Sequence, residues 1–222
     1  MPSRLNLAGL TAEELQRLLG EAAAQRLLPQ TTRARLEGKP LPGSVVPPEL
    51  SFEAQGERGW GATPEAARAL SRLCADLSAL GGLDLGVYSL PHLADARHQR
   101  ALLFAPDIAL ALRWSETPEA GAPPSPFLVA VTLLRDRASG TAAVLSSSGE
   151  LPLVPTPSEE VDARLHLGAT PAALLEAHRQ QVARHGRGVR LQGASNWMRA
   201  FQTVWQLNLE AWERRGLLSA SG

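Results

Sequence analysis

Five arginines lie close together in the segment 178–199, which contains no aspartate or glutamate. They are Arg179, Arg184, Arg187, Arg190 and Arg199. Guanidinium groups form paired hydrogen bonds with carboxylates and phosphates, and an interleaved indole such as that of Trp197 can stack on a nucleic-acid base. The segment is therefore a candidate contact for a phosphate backbone or for an acidic partner. A second interpretation is that the arginines form a solvated face whose charge is balanced elsewhere in the chain.

Three of the five tryptophans, Trp197, Trp205 and Trp212, fall in the predicted terminal helix. Large aromatic side chains dominate both protein cores and protein interfaces, so this helix has two interpretations. In the first, it packs across a face of the predicted sheet. In the second, the tryptophans form a candidate interface for a protein partner or for self-association of the chain.

The other polar groups do not match the known patterns of catalytic, metal or nucleotide sites. The spacing of His92, Asp95 and His98 brings too few ligands together for a metal, and we expect a solvated loop or short helix there. The run 146–149 lacks the first glycine of a nucleophile elbow, and the run 186–188 lacks the third glycine of a dinucleotide-binding loop. We therefore assign no catalytic residue, no metal ligand and no cofactor, and we expect the chain not to be an enzyme.

The elements that would position these residues begin with a helical hairpin over residues 1–38. Thr11 and Glu14 have the spacing of a capping box, and apolar residues then recur every three or four positions until Pro29. Proline interrupts a helical hydrogen-bond ladder, so we expect a break there, followed by a second short helix. The segment 39–62 is rich in proline and glycine and is predicted to be a linker.

Residues 63–218 are predicted to form an α+β domain, followed by a flexible tail over residues 219–222. Capping residues and apolar residues with a helical period predict three helices. They lie near 63–80, 170–185 and 196–215. Between the first two, apolar residues alternate with a period of two, which predicts an antiparallel meander over 83–147 with a hairpin turn at Gly140. The predicted fold is an antiparallel sheet of about four strands covered by these three helices and preceded by the N-terminal helical hairpin.

The composition restricts the class of partner. Of the 222 residues 44% are hydrophobic, and the 22 basic residues equal the 22 acidic residues in number. A zero net charge argues against binding to nucleic acid or an anionic membrane through bulk electrostatics and leaves only local patches. No apolar stretch reaches the length of a membrane span, and the single cysteine, Cys74, cannot form an internal disulfide. We expect no membrane partner and a cytoplasmic location.

These observations favour a non-catalytic binding or adaptor protein that acts through protein–protein contacts, including contacts with a second copy of the chain. The alternative is a nucleic-acid-binding protein that uses the arginines of the segment 178–199. An enzyme with an unrecognised site is the third hypothesis, and a deep pocket with converging polar groups would favour it.

Overall fold

The computed structural model describes residues 3–91, 97–116, 126–136, 139–149 and 155–220. Within these ranges the strands are β1 (Ser3–Asn6), β2 (Pro42–Val46), β3 (Glu53–Gln55), β4 (Leu83–Ser89), β5 (His98–Phe104), β6 (Ile108–Trp114), β7 (Phe127–Leu133), β8 (Ala143–Ser147), β9 (Val161–Leu165) and β10 (Leu218–Ala220). The α-helices are α1 (Ala12–Leu19), α2 (Glu21–Leu36), α3 (Pro64–Ala79), α4 (Pro171–His185) and α5 (Gly193–Arg214). No helix in this part of the chain is long and apolar enough to cross a membrane.

The chain divides into two compact units. Unit 1 consists of Met1–Glu49, Pro152–Glu159 and Trp205–Gly222. Unit 2 consists of Leu50–Leu151 and Glu160–Val204. The first part of α5 therefore belongs to unit 2, and the remainder belongs to unit 1.

Unit 1 contains a three-stranded antiparallel sheet in the order β10, β1, β2, together with α1 and α2. The capping box predicted at the start of α1 is confirmed: the Thr11 hydroxyl accepts from the Glu14 N–H at 3.1 Å, and the Glu14 carboxylate accepts from the Thr11 N–H at 2.9 Å. The predicted break at Pro29 is wrong, because α2 continues through it to Leu36. The two helices separate instead at Gly20, whose φ of +78° is a left-handed conformation that favours glycine.

Two segments that the sequence predicts to be irregular contain strands. The segment 39–62 holds β2, which pairs with β1 in unit 1, and β3, which pairs with β4 in unit 2. In the predicted tail, Ser219 and Ala220 belong to β10 and also pair with β1. All three strands are short and lie at sheet edges, where an irregular composition is tolerated.

Unit 2 is built around a seven-stranded sheet whose order follows the chain from β3 to β9. Each neighbouring pair is antiparallel except β8 and β9, which are parallel. The predicted meander over 83–147 is confirmed, and Gly140 has the expected positive φ, at +76°. The prediction of a four-stranded sheet covered by three helices is wrong. The described residues instead form this seven-stranded mixed sheet, the three-stranded sheet of unit 1 and five α-helices.

The strands that the sequence prediction missed carry little periodic signal. Four consecutive residues of β5, Ala101 to Phe104, are buried, because both faces of the sheet are covered there. A strand buried on both faces has no alternation of apolar and polar residues. The edge strands β3 and β9 have three and five residues, which is too short for a clear period.

The central strand β6 is buried along its whole length because helices cover both faces of the sheet. Leu112 of β6 belongs to the core cluster that contains Leu174 and Leu175 of α4. Its neighbour Arg113 faces the other side of the sheet. There the Arg113 guanidinium lies 5.4 Å from the ring centroid of Phe201 on α5. The sheet of unit 2 therefore lies between α4 and the first part of α5.

Candidate functional site

A cleft of about 630 Å³ opens in unit 2 beside the C-terminal half of α4. Four arginines line it, namely Arg135, Arg179, Arg187 and Arg190. Apart from Asp107, its other lining residues are glycine, alanine, proline or aliphatic. We refer to it as the arginine cleft.

Three parts of unit 2 bring these arginines together. Arg179 lies on α4, and Arg135 follows β7. Arg187 and Arg190 lie in the segment that connects α4 to α5. The turn between α4 and this segment is made at Gly186, whose φ of +127° is rarely adopted by other residues.

Backbone hydrogen bonds hold the connecting segment against the end of β7. The Arg135 N–H donates to the Arg187 carbonyl at 2.9 Å, and the Val189 N–H donates to the Leu133 carbonyl at 2.7 Å. The two stretches run antiparallel at this point. These bonds fix the backbone of Arg135 and Arg187, so both side chains are attached at defined positions beside the cleft.

Asp107 is the one acidic residue among those that line the cleft. The Gly188 N–H donates to its carboxylate. Burial raises the pKa of Asp107 above its ordinary value, although the Gly188 N–H and the guanidinium groups of Arg179 and Arg135 act to lower it. Gly188 packs so closely against the Asp107 side chain that a Cβ at position 188 would lie 2.0 Å from Oδ2 of Asp107 and 2.6 Å from its Cβ.

We expect Gly188→Ala to lower the free energy of unfolding by about 1–3 kcal/mol, because the added methyl group must displace Asp107 or the connecting segment. Urea unfolding followed by circular dichroism measures this change. Gly56→Ala in the same unit is the matched control, since a Cβ there meets no atom within 4 Å. Its effect should stay within about 0.5 kcal/mol. Equal effects of the two substitutions would contradict a steric requirement for glycine at position 188.

The charge of the arginine cleft is strongly positive. Its four arginines are exposed, and none of them forms a salt bridge with a carboxylate of the described residues. The C-terminal end of α4 contributes about half a negative charge, which the arginines exceed. The single carboxylate of Asp107 is already bound by the Gly188 N–H. The cleft is therefore suited to an anion that carries several carboxylate or phosphate oxygens.

The structure brings three of the five predicted arginines into the cleft, namely Arg179, Arg187 and Arg190. Arg184 on α4 and Arg199 on α5 are also exposed, but they do not line it. Sequence reasoning missed Arg135. No local pattern marks this residue, because its place at the cleft depends on a backbone bond to a segment far away in the sequence.

The three tryptophans of the predicted interface all lie on α5. Trp197 is fully buried in unit 2, Trp212 is buried in unit 1, and Trp205 is half-buried in unit 1. Each indole N–H donates to a backbone carbonyl of its own unit, at 2.9, 3.0 and 3.1 Å respectively. These contacts favour a packing role within the chain, and contact of the tryptophans with a partner stays a prediction.

A serine–histidine pair occurs in unit 2, where Oγ of Ser146 lies 2.8 Å from Nδ1 of His178. Both side chains have no exposed surface, so a substrate has no access to the pair. The Ser146 hydroxyl donates to Oε1 of Gln181 at 2.8 Å, and the Thr132 hydroxyl lies 3.0 Å from Nε2 of His178. Burial lowers the pKa of His178 from 6.5 to about 4. Because the Ser146 hydroxyl donates to Gln181, Nδ1 of the neutral imidazole donates to Ser146, while the Thr132 hydroxyl also donates to the Asp107 carbonyl at 3.1 Å.

His92 and Asp95, two members of the histidine–aspartate pattern noted in the sequence, lie outside the described residues. The third, His98, is half-buried on β5, with its ring centroid 5.2 Å from that of Trp60 and 5.9 Å from that of Trp114. Burial lowers its pKa below the ordinary value. In the described ranges, no three side chains of metal-binding type come together.

No protein-family model, no curated protein and no solved structure matches the chain. The charge, shape and exposure of the arginine cleft therefore carry the functional conclusion.

Proposed function

We propose that the protein is a non-catalytic binding protein that holds an acidic segment of a protein partner in the arginine cleft. The observation that carries this proposal is the convergence of four exposed arginines on one cleft, without a salt-bridge partner in the described part of the chain. Neighbouring guanidinium groups repel one another. A bound carboxylate relieves this repulsion and accepts paired hydrogen bonds, so the cleft favours carboxylate-bearing partners.

A nucleic-acid partner is less well supported. None of the residues that line the cleft is aromatic, so the cleft offers no surface on which a base could stack. Trp197, the aromatic residue of the arginine-rich segment, is fully buried and packs against Tyr88 and Phe52. Arg184 and Arg199 lie outside the cleft and do not extend it into a track for a phosphate backbone. These positions favour a compact acidic ligand over a nucleic-acid strand.

Among the described residues, no accessible group of side chains has an arrangement that would support catalysis. Ser146 and His178 are within hydrogen-bonding distance but have no exposed surface. The arginine cleft contains one carboxylate, that of Asp107, and no nucleophile. We also propose a cytoplasmic location, which the unpaired thiol of Cys74 supports.

The proposal is tested with a fluorescently labelled poly-glutamate peptide and a labelled single-stranded oligonucleotide of matched charge. Binding of each is followed by fluorescence anisotropy at low and moderate salt. We expect Arg179→Gln combined with Arg187→Gln to weaken peptide binding by about tenfold to a hundredfold, because each of the two exposed arginines contributes about 1 kcal/mol to the binding free energy.

The matched control combines Arg184→Gln with Arg199→Gln, which removes the same charge from outside the cleft. It should retain the affinity of the natural chain for the peptide. If both double variants lost affinity equally, binding would depend on overall charge and the cleft would not be the site. Tighter binding of the oligonucleotide than of the peptide would replace the proposal with the nucleic-acid alternative.

A further inference from the structure

The strand β9 lies at one edge of the seven-stranded sheet, and no described strand pairs with its outer side. Its inner side pairs with β8 through alternate residues. The Glu160 carbonyl accepts from the Ala143 N–H at 3.1 Å, and the His166 N–H donates to the Ser147 carbonyl at 2.7 Å. Even-numbered residues of this stretch therefore direct their peptide groups toward β8.

The odd-numbered residues Val161, Ala163 and Leu165 consequently direct their N–H and C=O groups outward. Edge strands in natural proteins are usually protected by proline, by charged side chains or by a bulge. β9 contains no proline and pairs with β8 in unbroken register, and its two charged residues, Asp162 and Arg164, have opposite signs. Leu165 and the following Leu167 have 40% and 60% of their surface exposed. This edge is therefore open to strand addition.

The sequence of β9 is complementary to itself when two copies run antiparallel about Ala163. In that arrangement Ala163 lies opposite Ala163, and Val161 lies opposite Leu165 of the second copy. Asp162 then lies opposite Arg164 of the second copy, and the same pair recurs on the other side of the axis. Opposite charges placed directly across an antiparallel pair stabilise it, and like charges destabilise it.

Both charged side chains are available for this pairing. The Arg164 side chain is 46% exposed, and its contact with Asp162 of the same strand is a single bond of 3.3 Å. Asp162 is also bound by Nε2 of His185 at 2.9 Å, which holds its carboxylate on the face of the sheet that carries α4. A carboxylate has about four acceptor positions, so Asp162 can accept from Arg164 of a second copy in addition to His185 and Gln181 of its own chain.

We propose that two copies of this chain associate through their β9 edges, antiparallel and with the two-fold axis at Ala163, to form one continuous sheet. The outward peptide groups of Val161, Ala163 and Leu165 then form the backbone hydrogen bonds of the new pair. Such a symmetric contact closes on itself and yields a dimer. β9 does not line the arginine cleft, so the dimer can be tested independently of the proposed binding function.

The register is tested by disulfide trapping in a Cys74→Ser background. Across the proposed axis the two Ala163 Cα atoms lie about 5.5 Å apart, within the range for a disulfide. We expect Ala163→Cys to cross-link two chains under mild oxidation. Leu165→Cys is the matched control, because its two copies lie about 14 Å apart along the strands. Random collisions would cross-link the more exposed position 165 at least as readily, and that result would overturn the proposal.

Sedimentation velocity provides a test that needs no cysteine. The natural chain should shift from monomer to dimer as its concentration rises, and a monomer at all concentrations would overturn the proposal. Arg164→Asp and Asp162→Arg each place like charges across the axis, so each variant alone should lose at least tenfold in dimer affinity. An equimolar mixture restores both opposite-charge pairs and should dimerise again. Dimers of either variant alone that are as stable as those of the natural chain would exclude this register.

Discussion

Trp197→Ala should lower the free energy of unfolding by about 3–5 kcal/mol, the range found when a fully buried aromatic side chain is removed from a core. Trp197 has no exposed surface, and its ring lies 4.7 Å from that of Phe201 and 5.5 Å from that of Phe52 between centroids. Its indole N–H donates to the Leu110 carbonyl of β6 at 2.9 Å. The substitution would therefore leave a cavity and remove one hydrogen bond to the Leu110 carbonyl at the centre of the sheet.

Urea unfolding followed by circular dichroism measures this loss without relying on tryptophan fluorescence. Trp205→Ala serves as the comparison, because Trp205 lies on the same helix but is only half-buried. It should cost clearly less stability in the isolated chain. An unchanged unfolding curve for Trp197→Ala would show that the residue is not part of the core, and the predicted interface role would then regain support.

A loss of about 3 kcal/mol in stability is expected from His178 alone as the pH falls from about 6.5 to about 4. Burial lowers the pKa of His178 in the folded chain to about 4, and the nearby positive charges of His166 and Arg179 act in the same direction. The unfolded chain therefore binds a proton in this range that the folded chain does not bind. Protonation thus favours unfolding, and the stability is fully present only above about pH 6.5.

His178→Gln isolates this contribution, because glutamine keeps a polar side chain but does not titrate. The variant should be less stable than the natural chain at pH 7, since it disrupts the hydrogen bonds to Ser146 and Thr132. Its stability should then fall less steeply between pH 6.5 and pH 4. His98, whose pKa is also lowered by burial, remains in both proteins and does not affect the difference. Parallel pH profiles for the two proteins would show that folding does not lower the pKa of His178.

The helix starts could be predicted from sequence because their signals are local. Thr63 and Thr170 both precede proline, and their hydroxyls accept from the N–H three residues later at 3.2 and 3.3 Å. Such caps involve neighbouring residues only, so they form in any fold that contains the helix. The meander was predictable for a similar reason, since alternation within a half-buried strand is a local property.

The extent of the sheet could not be predicted in the same way. β5 is buried on both faces and shows no alternation, and whether a strand has one or two covered faces depends on distant helices. The pairing of β8 with β9 is likewise non-local, because it joins Ala143 to Val161 in a parallel register. The prediction of four strands therefore failed where burial and pairing depend on the rest of the fold.

The candidate site shows the same division between local and distant information. Composition alone marked the arginine-rich segment and its two possible roles. Tertiary structure selected Arg179, Arg187 and Arg190 for the cleft, added Arg135, and left Arg184 and Arg199 outside it. The selection depends on the backbone bonds between the connecting segment and the end of β7, which no local pattern encodes.

Glu14 makes one interaction that the local sequence determines and others that only the tertiary structure provides. Its spacing from Thr11 predicted a capping box by itself, because that interaction spans a single helical turn. Only the tertiary structure buries Glu14 to 4% exposure in unit 1 and adds the Thr156 N–H and the Arg215 guanidinium, both at 2.8 Å. Burial alone would raise its pKa, but these donors lower it to about 2. Sequence determined the local cap, whereas long-range packing decided that the same carboxylate would be buried and paired with the exposed Arg215, since its partners come from remote parts of the chain.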